Sequence, residues 1–233
     1  MSEQSNRSLS KWLLVSCCGL IVFGVFGLIL LVGAGYVAWL AYMPDDHRAA
    51  RELRQRGFSV LDNWRDSIIP QINPTHVGGN NLNITPEDSQ LISRLPRLYC
   101  LTFVGWNAGD MSGLNLEEIG KNCPELTYFR FIDIKHFPPV SDIRWLAACP
   151  IKVFMLKAGR TPLNDSDLEV FAGFTKLETL HLHCSSAGIT DAGLEHFVNL
   201  PSLTHLTLIN TSITQEGVEA FREKRPEVEV RLE

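Results

Sequence analysis

Apolar residues recur in an L-x-x-L-x-L pattern along the C-terminal two-thirds of the chain. The pattern is clearest at Leu203, Leu206 and Leu208, and looser copies precede it at a nearly constant spacing. The copies begin at residues 72, 98, 126, 151, 177 and 203. Alternating apolar positions over a short run are typical of a strand with one buried face. Each copy therefore predicts one strand of a repeat protein.

A small polar residue follows each predicted strand and marks the start of a predicted helix. Ser, Thr and Asn are favoured at the helix N-cap because their side-chain oxygen accepts a hydrogen bond from an otherwise unpaired backbone N–H. The predicted N-caps are Thr85, Ser112, Ser141, Asn164, Thr190 and Thr214. Helical spacing follows, as at Leu168, Phe171 and Phe174. One unit of strand and helix cannot bury its own apolar side, so stacked units must share a core, with parallel strands on a concave face and helices on the convex one.

These repeats resemble the leucine-rich repeat family over roughly residues 72–233. The best match to the consensus L-x-x-L-x-L-x-x-N/C-x-L is formed by Leu203, Leu206, Leu208, Thr211 and Ile213. The sequences ITDAGL at 189–194 and CPEL at 123–126 resemble the cysteine-containing subtype and the I-T-D-x-G-L repeat proteins of planctomycete-like bacteria. The resemblance implies an α/β leucine-rich repeat solenoid, a short horseshoe that binds a protein partner.

A long apolar segment precedes the repeats. Residues 12–43 contain no charged side chain, and Lys11 and Asp45 stand on either side of the segment. A helix needs about 20 apolar residues to cross the hydrocarbon core of a bilayer, and aromatic residues near both ends suit the headgroup region. We therefore predict an N-terminal tail at 1–11 and one transmembrane helix at 12–43.

The segment between the apolar run and the repeats is predicted to be a helix-strand cap at 44–71. Asp45 and Asp46 can begin a helix, Gly57 can end it, and a strand can follow at 58–61. An open solenoid end exposes core side chains, so terminal repeats need such a cap. The repeat domain then covers 72–233 with about six repeats.

The charge of the chain argues against nucleic acid as a partner. The formal net charge is -5 at pH 7, of which residues 1–44 carry +1 and the remainder -6. Binding to a phosphate backbone needs clustered Lys and Arg. The chain has no C-x-x-C motif, and we expect the cysteines beyond the apolar segment to be reduced and buried as small apolar residues.

The side chains between the core positions of each strand are predicted to line the concave face and to bind the partner. The repeat alignment predicts rows of side chains across the sheet and places His76 beside Thr102. The candidate contact residues are Tyr128, Arg130, Met155, Lys157, His181, His183 and His205. Tyr128 and Arg130 are the predicted anchors because Tyr and Arg are enriched among residues that dominate binding energies.

No enzyme motif occurs in the chain. It has no P-loop, no G-x-S-x-G and no H-E-x-x-H, so we expect no catalytic residue, no cofactor and no metal site. Two possibilities from the residues remain open. The three histidines at 181, 183 and 205 could meet a metal, and Cys100 could lie within reach of His76 on the next strand.

The sequence favours a membrane-tethered protein-protein interaction module. One alternative is a structural envelope component that self-associates through its transmembrane helix, as a homo-oligomer, with no specific soluble ligand. Another alternative is an F-box-like substrate adaptor. The sequence disfavours it because no F-box precedes the repeats.

The flanking charges predict the orientation of the repeats. Positive residues favour the cytoplasmic side, and four arginines at 48–56 follow the apolar segment, whereas only Arg7 and Lys11 precede it. A short tail before a large domain is also the arrangement of an anchor whose domain is exported. By the count of positive residues, an epitope at the C-terminus should survive protease treatment of intact cells and be cleaved after lysis. Cleavage on intact cells would place the repeats outside.

Overall fold

The strands of the sheet follow one another in chain order. The computed structural model describes residues 45–62, 74–80, 82–104, 109–158, 162–184 and 188–232. Within these residues, eight strands form one sheet in the order β1 to β8. They are β1 (Ser59–Asp62), β2 (Pro74–Asn80), β3 (Cys100–Val104), β4 (Tyr128–Ile132), β5 (Val153–Ala158), β6 (Thr179–Cys184), β7 (His205–Ile209) and β8 (Glu229–Leu232). The strands from β2 to β8 pair in parallel, as predicted, whereas β1 pairs with β2 antiparallel.

Helical segments connect the strands. The α-helices among the described residues are α1 (Asp45–Gln55), α2 (Pro86–Ser93), α3 (Leu116–Asn122), α4 (Glu195–Val198) and α5 (Gln215–Lys224). Three further segments are 3-10 helices, at Val140–Ala148, Asp165–Gly173 and Asp191–Leu194, and the last of them runs directly into α4. The sequence predicted a helix in each of these places without specifying its type. A 3-10 helix has three residues per turn, so buried residues three apart, such as Leu168 and Phe171, line up along one side of it.

The segment before the repeats forms the predicted helix and strand. Helix α1 buries Ala49, Ala50 and Leu53, and its acidic first turn suits the helix dipole. Strand β1 then covers the outer edge of β2. The predicted tail at 1–11 and transmembrane helix at 12–43 lie outside the described residues, and the predicted domain boundaries stay predictions. None of the helices in the described part of the chain is long and apolar enough to cross a membrane.

The register of the sheet confirms the predicted rows on β3 to β7 and corrects them on β2. His76 lies opposite Cys100, and Gly78 lies opposite Thr102, so the predicted pairing of His76 with Thr102 was wrong by two residues. The shift places Val77, instead of Thr75, in line with the core residue Leu101. It keeps the inward and outward alternation because side chains alternate along a strand with a period of two.

A glycine makes the shifted register possible. Gly79 lies opposite the buried Phe103, where the other strands carry a large core residue. The side chain of Leu82 packs over Gly79 instead, so close that a Cβ at Gly79 would stand 2.3 Å from Leu82 Cδ1. Leu82 therefore supplies the apolar group that the first repeat lacks on its strand.

Phenylalanine rings fill the middle of the core. Phe129, Phe131 and Phe154 are completely buried on β4 and β5. The Phe129 ring stacks on Phe154 with centroids 5.0 Å apart and on Phe131 with centroids 4.5 Å apart. Burial of one such side chain contributes about 1.5–3 kcal/mol, so the core of the central repeats is strongly cohesive.

Side-chain caps begin most of the helical segments. Thr85, Asn164, Thr190 and Thr214 accept hydrogen bonds from the following backbone, as predicted. The predictions for Ser112 and Ser141 were wrong. Asn115 caps α3 instead, and the segment Val140–Ala148 begins after Pro139 without a side-chain cap. Ser112 lies in a turn, where its backbone N–H donates to the carboxylate of Asp110 at 2.9 Å.

Aspartates link the caps of consecutive repeats. The carboxylate of Asp165 accepts hydrogen bonds from the backbone N and the hydroxyl of Thr190, both at 2.7 Å. Asp191 accepts the same two hydrogen bonds from Thr214, at 2.7 and 2.8 Å. A Cβ at Gly217 would stand 2.1 Å from Asp191 Oδ1, so a glycine leaves room for the carboxylate. Each Asp–Thr link therefore joins the helix start of one repeat to that of the next.

Two of the cysteines beyond the apolar segment are buried, as predicted, and they occupy equivalent places in consecutive repeats. Cys100 is free but half-buried, so the prediction of burial was wrong for it. Cys123 and Cys149 are free and buried. The Cys123 thiol lies 3.7 Å from the backbone oxygen of Ile92, and the Cys149 thiol lies 3.4 Å from that of Cys123. Burial raises the pKa of the Cys123 thiol to about 12 and that of Cys149 to about 11. Both therefore remain protonated donors at neutral pH.

The Asp–Thr link can be tested by removing Asp191. The change Asp191→Ala should lower the free energy of unfolding by about 1 kcal/mol or more, because two donors of Thr214 lose their acceptor. Chemical denaturation of the full chain in detergent, followed by circular dichroism, measures the loss. Glu223→Ala is the matched control, since it removes an exposed carboxylate from the last helix. Equal denaturation midpoints for the two variants would contradict the link.

Candidate partner-binding face

The concave face is the side of the sheet on which the strand residues alternate with the buried core positions. On β3, β4 and β5 these residues are half-buried, whereas their neighbours in the strand are buried. The first row across β2 to β7 is His76, Cys100, Tyr128, Val153, Thr179 and His205. The second row is Gly78, Thr102, Arg130, Met155, His181 and Thr207. The third row is Asn80, Val104, Ile132, Lys157, His183 and Ile209.

The seven candidate residues from the sequence all lie in these rows. Tyr128 and Arg130 lie on β4, Met155 and Lys157 on β5, His181 and His183 on β6, and His205 on β7. Strand register brings Arg130, Met155 and His181 into direct succession across the sheet. The candidates therefore form one continuous surface, and their role in binding stays a prediction.

Aromatic side chains cluster at one margin of this surface. The ring centroid of Tyr99 lies 5.0 Å from that of Tyr128 and 5.9 Å from that of His76. A hydrogen bond with the Tyr128 phenol raises the pKa of Tyr99, and burial lowers the pKa of His76. Sequence reasoning missed Tyr99 because it precedes β3 and lies outside the alternation. At 39% exposure, its ring is available to a partner.

Arg130 lies near the middle of the surface without an internal partner for its Nε. It is half-buried between its register neighbours Thr102 and Met155. Its Nε is inaccessible to solvent, and within the described residues nothing accepts a hydrogen bond from it. A buried donor without an acceptor is rare and costly in folded proteins. Arg130 is therefore the most unusual polar group on this face.

The other basic side chains of the face differ from Arg130 in their surroundings. Lys157 pairs with Asp133, with Nζ and Oδ1 3.0 Å apart. His183 Nε2 lies 3.0 Å from Asn210 Nδ2, and His205 Nε2 lies 3.6 Å from a carboxylate oxygen of Glu229. Asp133 reaches the face because it follows β4 with a positive φ of 56°.

The ionisable side chains in the rows from β2 to β7 include basic groups and no carboxylate. From β2 to β7 the three rows hold Arg130, Lys157 and four histidines, and they hold no Asp or Glu. The chain as a whole has 26 acidic and 21 basic residues. Two carboxylates adjoin these rows, Asp133 beside Lys157 and Glu229 beside His205 on β8. Around Arg130, however, the rows carry no acidic side chain.

A cavity of about 500 Å³ lies at the β1–β3 end of the face. Its lining includes His76, Gly78, Cys100 and Thr102. Gly78 contributes no side chain, and a Cβ there would stand 2.4 Å from the backbone oxygen of Thr102. The cavity can take an apolar or small polar group from a partner.

The geometry gives little support to metal or thiol chemistry. Among the described residues, no three His, Cys, Asp or Glu side chains are grouped so that they could hold a metal ion. His76 lies opposite Cys100 on the neighbouring strand, so the two residues are close, a possibility that the sequence left open. The Cys100 thiol, however, lies 3.2 Å from the Thr102 hydroxyl.

Two solved structures similar to this chain are internalins of Listeria monocytogenes. An internalin (inlF) is 17% identical with a TM-score of 0.39, over 62% of this chain and 50% of that one. An internalin C2 (inlC2) is 16% identical with a TM-score of 0.37, over 69% of this chain and 81% of that one. This chain thus spans about half the length of the first internalin. No protein-family model and no curated protein matches the chain. Its architecture, an α/β solenoid with one sheet of consecutive strands, follows from its own strand order and register.

Proposed function

We propose that this chain is a membrane-tethered protein-protein interaction module whose concave face binds a protein partner. The observation that carries the proposal is the continuous, half-buried surface formed by Tyr128, Arg130 and Met155 on adjacent strands. Aromatic residues, Met and Arg are enriched at the centres of protein interfaces. Tyr and Arg are also enriched among the residues whose truncation costs most binding energy.

The size of the face suits such a role. Six strands at about 4.8 Å spacing extend over roughly 24 Å. A face of this width can contribute about 800 Å² to an interface, the share that each partner buries in a complex of standard size. The cavity beside β2 and β3 adds a concave place for one partner side chain.

The tether and the repeat subtype are parts of the same proposal. The uncharged run at 12–43 supports an anchor in the membrane. The I-T-D-x-G-L sequence at 189–194 carries the Asp–Thr link, and Cys123 and Cys149 repeat one buried position. These features support a cysteine-containing-like subtype. The proposal includes no catalytic step and no cofactor.

Site-specific photocrosslinking tests the concave face directly. A benzoylphenylalanine residue in place of Met155, in the full chain and in its native membrane, should give a discrete adduct with a partner protein. The same residue in place of Glu169, which lies exposed on the 3-10 helix Asp165–Gly173, is the control and should not give that adduct.

A double variant tests the predicted anchors in the same experiment. Tyr128→Ala combined with Arg130→Ala should lower the adduct yield from position 155 by at least about tenfold, since anchors of this kind carry most of an interface's energy. An unchanged yield would contradict the anchors. An adduct from position 169 with none from position 155 would contradict the concave face as the binding surface.

A further inference from the structure

We propose that the concave face holds its partner through a carboxylate, and that an Asp or Glu side chain of an extended acidic segment binds the Arg130 guanidinium. This inference rests on the proposed function and names the chemistry of the partner at that site. It is carried by the state of Arg130 and by the distribution of charge around it.

The fold provides acceptors for all three nitrogens of Arg225, whose side chain is buried. Arg225 donates from its terminal nitrogens to the backbone oxygens of Phe197, Val198 and Leu203. Its Nε donates to a carboxylate oxygen of Glu227 at 2.6 Å. Arg225 thus joins the last repeat to the one before it. Arg130 Nε, which is also inaccessible to solvent, has no such acceptor among the described residues.

A carboxylate is the group that matches the guanidinium of Arg130, whose side chain as a whole is only half-buried. The guanidinium presents its donors in a planar fork, and a carboxylate accepts two parallel hydrogen bonds from that fork. Thr102, Met155 and Ile132, which surround Arg130 in the rows, carry no charge. Partly desolvated surroundings strengthen a charge-assisted hydrogen bond. The site is therefore suited to one anionic side chain.

Charge complementarity favours an acidic segment over a basic or neutral one. Lys157 is already paired with Asp133, so Arg130 is the Lys or Arg in the rows of β2 to β7 that has no carboxylate partner within the described residues. No Asp or Glu occupies those rows, and the two carboxylates beside them, Asp133 and Glu229, lie next to the basic groups Lys157 and His205. Long-range attraction to such a face also speeds the encounter with an acidic partner.

Selection from a random-peptide phage library tests the inference with the full chain in detergent micelles. The wild-type protein should enrich peptides that contain Asp or Glu. For the best synthetic peptide, Arg130→Met should raise the Kd by about 10- to 100-fold, as expected for the loss of a hydrogen-bonded charge pair. The change of the peptide's acid to its amide should raise the Kd similarly, and the two changes together should add little.

Two further variants control for folding and for charge. Arg97→Met removes an exposed arginine from the turn before β3 and should leave the Kd unchanged. Arg130→Lys keeps the charge and loses the planar fork, so its Kd should lie between those of the wild type and Arg130→Met. Equal unfolding midpoints for all variants exclude a loss of fold as the cause.

Other outcomes would overturn the inference. Peptides that lose binding on Tyr128→Ala, but show no acidic preference and no effect of Arg130→Met, would exclude the carboxylate and leave the proposed function standing. The absence of any enriched peptide would also overturn the acidic segment. A specific adduct from position 155 would still support the concave face in that case.

Discussion

The parallel register of the strands is the constraint on which the rest of this structure depends. Each repeat has one apolar side and cannot bury it alone. Because β2 to β8 pair in parallel, the buried residues of one strand lie directly against those of the next. The same register determines which side chains face the other way. The core and the candidate binding surface are therefore two consequences of one pairing.

Polar links between repeats complement the apolar core. Asp165 and Asp191 each reach forward to the threonine that caps the next helical segment. The thiol of Cys149 reaches back to the backbone oxygen of Cys123. Arg225 connects the last repeat to the backbone of the one before it. These contacts join neighbouring repeats only, as is typical of solenoids, so stability is transmitted from repeat to repeat.

Much of the fold could be predicted because its signals are local and repeated. The rows on β3 to β7 follow from Leu and Phe at regular positions, and the caps at Thr190 and Thr214 follow from residue type. The register of β2 could not be predicted, because a shift of two residues preserves the alternation and Leu82 fills the gap from outside the strand. The helix type could not be predicted, because an apolar spacing of three fits both a 3-10 helix and one side of an α-helix.

The residues of the candidate site could be predicted from the sequence, but the charge pairing among them could not. Row positions follow from the repeats, so all seven candidates reached one surface. Lys157 is paired because Asp133 lies beside it, and no sequence pattern indicated the positive φ of Asp133. That Arg130 Nε is unpaired depends on which acceptors come near it in the folded chain. Tyr99 joined the aromatic cluster from a position outside the alternation.

One strand register positions both the core residues and the concave-face residues. A distance measured across the concave face, from β3 to β7, tests this central claim most directly. Spin labels introduced as unnatural amino acids at Thr102 and Thr207 lie in the same row, on β3 and β7. Four strand spacings of about 4.8 Å place their backbones roughly 19 Å apart. Double electron-electron resonance on the full chain should therefore give one narrow distance distribution near this value, allowing for label length. A broad distribution centred far beyond it would contradict the stacked register and the surface that depends on it.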